Sequence, residues 1–191
     1  MNMKLKLLLG LSVLNTTFLN AIEENKIKYE IDNMQVVLSE IALSKDTNTL
    51  DSYKKMDKLV TPLFDFRLMG KLILGKRYWK NATATQRKEY LEVFSKSIKG
   101  FYLKKFGLYT GQDLELSEPV KKKKRIYITN LIIEKNAKSE IIYKFYKSKT
   151  DGWLIYDVDI VGVSVIKVFR AQYKDILRRT HSIDELIKQI K

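Results

Sequence analysis

Apolar residues recur at helical spacing through the first half of the chain and alternate with polar ones through much of the second. From Glu23 to Ser44, the residues Ile27, Ile31, Met34, Leu38 and Ile41 fall four or three apart with Lys and Glu opposite, which predicts an amphipathic helix. Thr47-Asn48 opens a second, short helix carrying Leu50, Tyr53, Met56, Leu59 and Val60, and Pro62 ends it or starts the next. The third helix, about 63–74, is apolar on more than one face through Leu63, Phe64, Phe66, Leu68, Met69, Leu72, Ile73 and Leu74, with Gly75 as its C-cap. Thr83 and Gln86, three apart, form a capping box for a long helix reaching about Phe106. Its stripe is Leu91, Phe94, Ile98, Phe101 and Tyr102, widened by Tyr90 and Val93, and Gly107 and Gly111 stop it.

After Gly111 the period changes. Strands are predicted over 114–117, 125–134, 139–147 and 153–161, joined by connectors short enough to make the sheet antiparallel. In the last of these, Leu154, Tyr156, Val158 and Ile160 fall on one face and Trp153, Ile155, Asp157, Asp159 and Val161 on the other. Gly162 breaks the alternation. Ser164 is placed to cap a helix carrying Val165, Ile166, Phe169, Tyr173, Ile176 and Leu177, so a strand feeds an amphipathic helix across one glycine corner. A last helix, about 183–190, has Ser182 as N-cap and Leu186, Ile187 and Ile190 on its apolar side. Helices, then four strands, then helices predict an α+β fold in which a helical half covers one face of a four-stranded twisted antiparallel sheet. The strand and the helix it feeds each carry an apolar face, so a ligand would sit between that helix and the sheet.

Residues 1–21 read as an export signal. Lys4 and Lys6 form a positive start, Leu7 to Ala21 carries no charge, and Leu19-Asn20-Ala21 is an acceptable cleavage site. The apolar run is shorter than the ~20 residues a membrane span needs, and Asn15, Thr16, Thr17 and Asn20 interrupt it. Removing two Lys and no acid takes the net charge from +14 to +12 and leaves about 170 residues, 22–191, enough for one domain with its own core. With no Cys, neither disulfides nor thiolate chemistry is available, and one His, His181, excludes His-rich zinc sites.

Little else suggests catalysis. Asp157 and Asp159 share a strand face and form a candidate acid–base pair, but so many Lys residues make ion pairing the simpler role. His181 sits between Arg178-Arg179 and a helix start, a surface position. Ser164 lacks the second glycine of a nucleophile elbow, since Ile166 stands there. No glycine-rich phosphate loop and no metal-spaced cluster is found. The run Lys121, Lys122, Lys123, Lys124, Arg125 is the sharpest charge feature; in an exported protein it suits an acidic partner surface or anionic head groups.

The stretch Val60-Thr61-Pro62-Leu63-Phe64-Asp65-Phe66, followed by Leu74-Gly75, Trp79, Ala82-Thr83 and Gln86-Arg87, resembles the MlaC, or toluene-tolerance, family. So do Tyr109-Thr110-Gly111-Gln112, then Gly152-Trp153, Tyr156-Asp157, Gly162-Val163-Ser164, Arg170 and Gln172. The similarity runs in order from about Ile27 to the C-terminus. It implies a periplasmic phospholipid carrier with an NTF2-like fold, its cargo's acyl chains held in an apolar cavity between helices and sheet. The implied partners are phospholipid, an outer-membrane lipoprotein complex and an inner-membrane ABC transporter with an MCE-domain subunit. The implied role is upkeep of outer-membrane lipid asymmetry, with no cofactor, no nucleic acid and no enzymatic activity. The chain departs from the family in its strong positive charge.

Read from their apolar faces, Leu68, Leu72, Phe94, Ile98, Phe101, Ile128, Tyr143, Phe145, Tyr156, Val158 and Val163 are expected to line the lipid cavity, with Lys121–Arg125 for partner or membrane docking. Two other functions fit less well. A small exported enzyme of this fold would need a pair of titratable groups in its pocket. A basic polyanion-binding module would rest on net charge alone.

Overall fold

The computed structural model describes residues 25–33, 35–36, 50–106, 111–134 and 137–191. The expected export signal, Leu38 and Ile41 of the first helix, the Thr47-Asn48 start of the second and Gly107 lie outside the described residues.

Helix α1 covers 25–33 and 35–36 and buries Ile27 and Ile31. Helix α2 (Leu50–Val60) runs into a 3-10 turn, Thr61–Leu63, with Pro62 in its opening positions, where the missing N–H costs nothing. The chain then extends. Phe64 pairs in parallel with Ile155, and the Asp65 N–H donates to the Ile155 carbonyl at 2.9 Å. The helix expected from Leu63 therefore begins only at Phe66. Asp65 caps it, accepting from the Leu68 N–H at 2.7 Å. A sheet-edge pairing and an Asp cap outweigh the apolar pattern that ran through them.

Helix α3 (Phe66–Leu74) ends at Gly75, whose φ of 82° only glycine adopts readily. A short α4 (Lys76–Asn81) follows, which the pattern did not predict. Helix α5 (Ala84–Phe106) starts with the expected capping box: the Gln86 N–H donates to Thr83 Oγ1 at 3.1 Å, and the Thr83 N–H to Gln86 Oε1 at 3.0 Å. Its buried stripe is Tyr90, Phe94, Ile98 and Tyr102, one residue per turn. Helix α3 packs against α5, and at Gly70 the approach is so close that a Cβ would lie 2.8 Å from Leu91 Cδ2 and 3.0 Å from Phe94 Cδ1. The Tyr90 hydroxyl donates to the Gly70 carbonyl at 3.0 Å across the same contact. Gly70→Val should therefore push α3 off α5 and cost about 1–3 kcal/mol, read as a lower melting temperature; an unchanged one would contradict this packing.

Among the described residues the sheet has six strands, all antiparallel: β1 (Asp113–Leu116), β2 (Val120–Lys122), β3 (Arg125–Glu134), β4 (Ala137–Lys147), β5 (Trp153–Ile160) and β6 (Val163–Ser164). The order is β1-β3-β4-β5-β6, and β2 lies beside β1 along the same edge of β3. Two strands exceed the expected four. β2 carries too little alternation to be read, and β6 exists because Val161 (φ 49°) and Gly162 (φ 75°) make a two-residue hairpin where a plain corner was expected. Ser164 then caps α6 (Val165–Thr180) as predicted, accepting from the Lys167 N–H at 3.1 Å. His181 takes a left-handed φ of 52° to end α6, and Ser182 caps α7 (Ile183–Ile190).

One register detail changes which side chains face the helices. Lys144 opposes Asp157 but Phe145 opposes Ile155, so Tyr156 is an extra, bulged residue. The alternation resets there. Ile155 and Val158 are both buried against the helical layer, while Asp157 and Asp159 stay on the opposite side with Lys144 and Ile142. The expected grouping of Tyr156 with Val158, and of Ile155 with Asp157, is corrected by that single bulge.

Candidate functional site

Between helices and sheet lies one continuous buried cluster. It holds Phe94 and Ile98 from α5, Ile128 from β3, Tyr143 and Phe145 from β4 and Val158 from β5, six of the expected cavity residues, each no more than 3% exposed. Leu72 and Phe101 pack half-buried against it, and Leu68 is half-buried on α3. Aromatic rings knit the helical side together. Phe169 meets Phe101 edge-on at 5.6 Å and Tyr173 at 6.0 Å, and Tyr90 stacks on Phe94 at 5.9 Å. The interior is not wholly apolar. Asn130 is buried in it, and burial pushes the Tyr143 hydroxyl up to about 12, against a hydrogen bond to Asn130 that pulls it down, so Tyr143 stays neutral.

The other two expected residues stand elsewhere. Tyr156 lies on the far face of the sheet, its ring edge-on to Tyr146 and 4.3 Å from the Arg125 guanidinium. Val163 is 55% exposed on β6, near exposed Val161 and Val168. Neither contributes to the space between helices and sheet.

A cavity of about 380 Å³ opens at one end of that layer, within the usual range of ligand pockets, about 300–1,000 Å³. Its apolar walls are Ile27 from α1, Leu59 from α2, Pro62 and Leu63 from the turn, Phe145 from β4, and Trp153 and Leu154 from β5. Lys26, Lys58, Glu30 and Asp151 also line it. Of the expected cavity residues only Phe145 reaches it. The others were missed because the walls come from where α1 and the Thr61–Leu63 turn dock, which no local pattern encodes; the surplus of large apolar residues around Pro62 is the signal that pointed there.

A second cleft, about 450 Å³, adjoins it across Trp153. Lys121, Lys123, Lys124, Arg125, Tyr146, Lys147 and Trp153 line it. Lys121 and Lys122 belong to β2, Lys123 turns with a φ of 58°, and Arg125 starts β3, so the Lys run forms a hairpin end. The four Lys are exposed. Arg125 is half-buried, held over the Tyr156 and Tyr146 rings at 4.3 and 5.6 Å, and Lys122 Nζ lies 5.5 Å from the Tyr127 ring.

Asp157 and Asp159 do not form an isolated carboxylate pair. Lys144 Nζ bridges them, 3.0 Å from Asp157 Oδ2 and 2.5 Å from Asp159 Oδ1. Asp157 also accepts from Ser164 Oγ at 2.8 Å and from the Ile166 N–H at 3.1 Å, so it holds the start of α6 onto β5. Burial lowers the Lys144 ammonium and the bonds to Asp159 and Asp157 raise it; the bonds prevail, and its pKa stands above the ordinary value. Among the described residues no cluster of three or more His, Asp or Glu is placed to hold a metal, and no helix is long and apolar enough to cross a membrane.

The profile of the MlaC protein family matches residues 28–191, most of the chain, including the whole lining of the cleft and all of the cavity lining but Lys26 and Ile27. The chain belongs to the MlaC family. It is 23% identical over 138 residues to the toluene tolerance protein ttg2D of Pseudomonas putida, 71% of this chain. The chain spans 64% of the length of that relative. Its fold matches that of a phospholipid-binding protein from Ralstonia solanacearum, solved in complex with a phospholipid, with a TM-score of 0.73 at 18% identity, over 87% of this chain and 93% of that one. A helical layer on an antiparallel sheet is thus shared by this MlaC-family chain and that protein.

Proposed function

We propose that this protein is a phospholipid carrier of the periplasm, taking the acyl chains of its cargo into the apolar space between helices and sheet. The observation that carries this reading is the 380 Å³ cavity with a wall of Ile27, Leu59, Pro62, Leu63, Phe145, Trp153 and Leu154, in a chain of the MlaC family. The name and bound ligand of the Ralstonia solanacearum protein support it. Residues 1–21 act as the export signal and 22–191 as one lipid-binding domain. The chains enter at the cavity and reach toward Phe94, Ile98, Ile128, Tyr143 and Val158 as the layer opens, with Leu68, Leu72 and Phe101 at its margin. The carrier exchanges lipid with an outer-membrane lipoprotein complex and with an inner-membrane ABC transporter through its MCE-domain subunit, and so maintains lipid asymmetry. Lys121–Arg125 steer docking. The protein performs no bond-making chemistry: its best carboxylate pair is engaged by Lys144 and the α6 N-terminus.

Burying each CH₂ contributes about 0.8 kcal/mol, so apolar contact alone suffices to hold a diacyl lipid out of water. Protein purified gently from the periplasm should therefore carry phospholipid in fixed proportion, measurable by native mass spectrometry and organic extraction. Extracts without stoichiometric phospholipid would remove the carrier reading.

A further inference from the structure

We infer that the basic cleft is a docking surface for an anionic lipid bilayer, which sets the mouth of the apolar cavity against the membrane. The inference rests on the carrier reading for its purpose, but on the cleft itself for its chemistry. Lys121, Lys123, Lys124, Arg125 and Lys147 all line one cleft, and among its described lining residues there is no carboxylate. Lys123, Lys124 and Arg125 gather positive charge at the hairpin end of the cleft, and such a patch attracts a polyanionic surface. The cations come from two separate parts of the sheet, the β2–β3 turn and the end of β4, so the fold assembles a patch wider than the sequence run.

Two further features favour a bilayer over an acidic protein. Trp153, half-buried, lines the cleft beside the cations, and a wide aromatic next to Lys and Arg suits the interface between head groups and acyl chains. The same Trp153 is a wall of the apolar cavity, so the two openings adjoin. A lipid leaving a membrane needs an apolar receiving surface beside the place where the carrier touches the head groups.

The test is sedimentation of the purified protein with vesicles of phosphatidylcholine alone or mixed with phosphatidylglycerol, over a range of salt. Each Lys near an anionic surface strengthens partition about fivefold, so Lys121→Gln with Lys123→Gln and Lys124→Gln should weaken binding to phosphatidylglycerol vesicles roughly a hundredfold. Binding should also fall with added salt, while melting temperature and phospholipid content stay as in the parent. In a Trp79→Phe background, Trp153 emission should shift to the blue on phosphatidylglycerol vesicles and not on phosphatidylcholine. Equal binding to both vesicle types, parental binding by the triple variant, or an unmoved Trp153 signal would each overturn the inference. So would tight binding of polyglutamate at salt concentrations where the vesicles do not bind, which would make the cleft a protein-docking surface. Selective vesicle binding by protein free of extractable phospholipid would support the surface while removing the carrier reading, so the two fail separately.

Discussion

Asp157→Ala should lower the melting temperature by roughly 6–20 °C, the largest effect of any single polar substitution in the sheet. Asp157 is 6% exposed and serves three partners: Lys144 Nζ, Ser164 Oγ and the Ile166 N–H. Removing the carboxylate leaves an ammonium and a helix N-terminus without their shared acceptor, and breaking a buried pair this way typically costs about 3–5 kcal/mol. In a domain of this size each kcal/mol moves the midpoint by roughly 2–4 °C. Asp159→Ala is the control. Asp159 touches Lys144 but not α6, and Lys144 keeps Asp157, so the loss should be about 1 kcal/mol or less. Similar losses in both variants would show that the α6 anchor contributes nothing. Because the Lys144 pKa is raised on folding, the pair's contribution is complete below the ordinary lysine value of 10.5 and fades only as pH climbs through the raised one. The Asp157→Ala loss should therefore be the same at pH 6 as at pH 8.

On the proposed carrier reading, Leu63→Trp should abolish lipid loading without unfolding the protein. Leu63 is half-buried and lines the apolar cavity, where added bulk fills open space rather than close-packed protein. Excluding three methylenes costs about 2.4 kcal/mol, so lipid retention should drop by nearly two orders of magnitude. The lipid-free protein should melt close to the parent. Ile98→Trp should behave differently, because Ile98 is wholly buried and overpacking there typically costs about 1–3 kcal/mol in stability. If Leu63→Trp melted far below the parent yet kept its full lipid load, the cavity would be ordinary core and the cargo would lie elsewhere.

What could be read in the sequence was whatever neighbouring residues settle among themselves. The Thr83–Gln86 box, the Ser164 and Ser182 caps and the glycine stop after Leu74 all rest on contacts a few residues apart, and the antiparallel order of the long strands follows from the short turns that join them. Failures came where a distant segment decided the outcome. The helix start moved from Leu63 to Phe66 because Phe64 is held by Ile155, far along the chain. Tyr156 left the interior because Phe145 on the next strand takes Ile155 as its partner and forces a bulge. The cavity walls escaped notice because Ile27, Leu59 and Trp153 meet only in the folded chain. His181 was placed at the surface, where it is, but its part in ending α6 needed a backbone angle that composition does not reveal.

The strands at the sheet's margins bear on how the protein behaves in a crowded compartment. The long strands, β3 with ten residues and β4 with eleven, are paired on both sides along much of their length. Among the described residues, outside β3 lie only the four residues of β1 and the three of β2, two of them Lys, and at the opposite margin β6 has two residues before it turns into α6. Short, charged or abruptly ended margins give a second chain little backbone to extend, which is how natural sheets resist growing into fibrils. In the proposed carrier role, lipid-free protein exposing apolar surface would otherwise be prone to self-association, and its frame resists one common route to it.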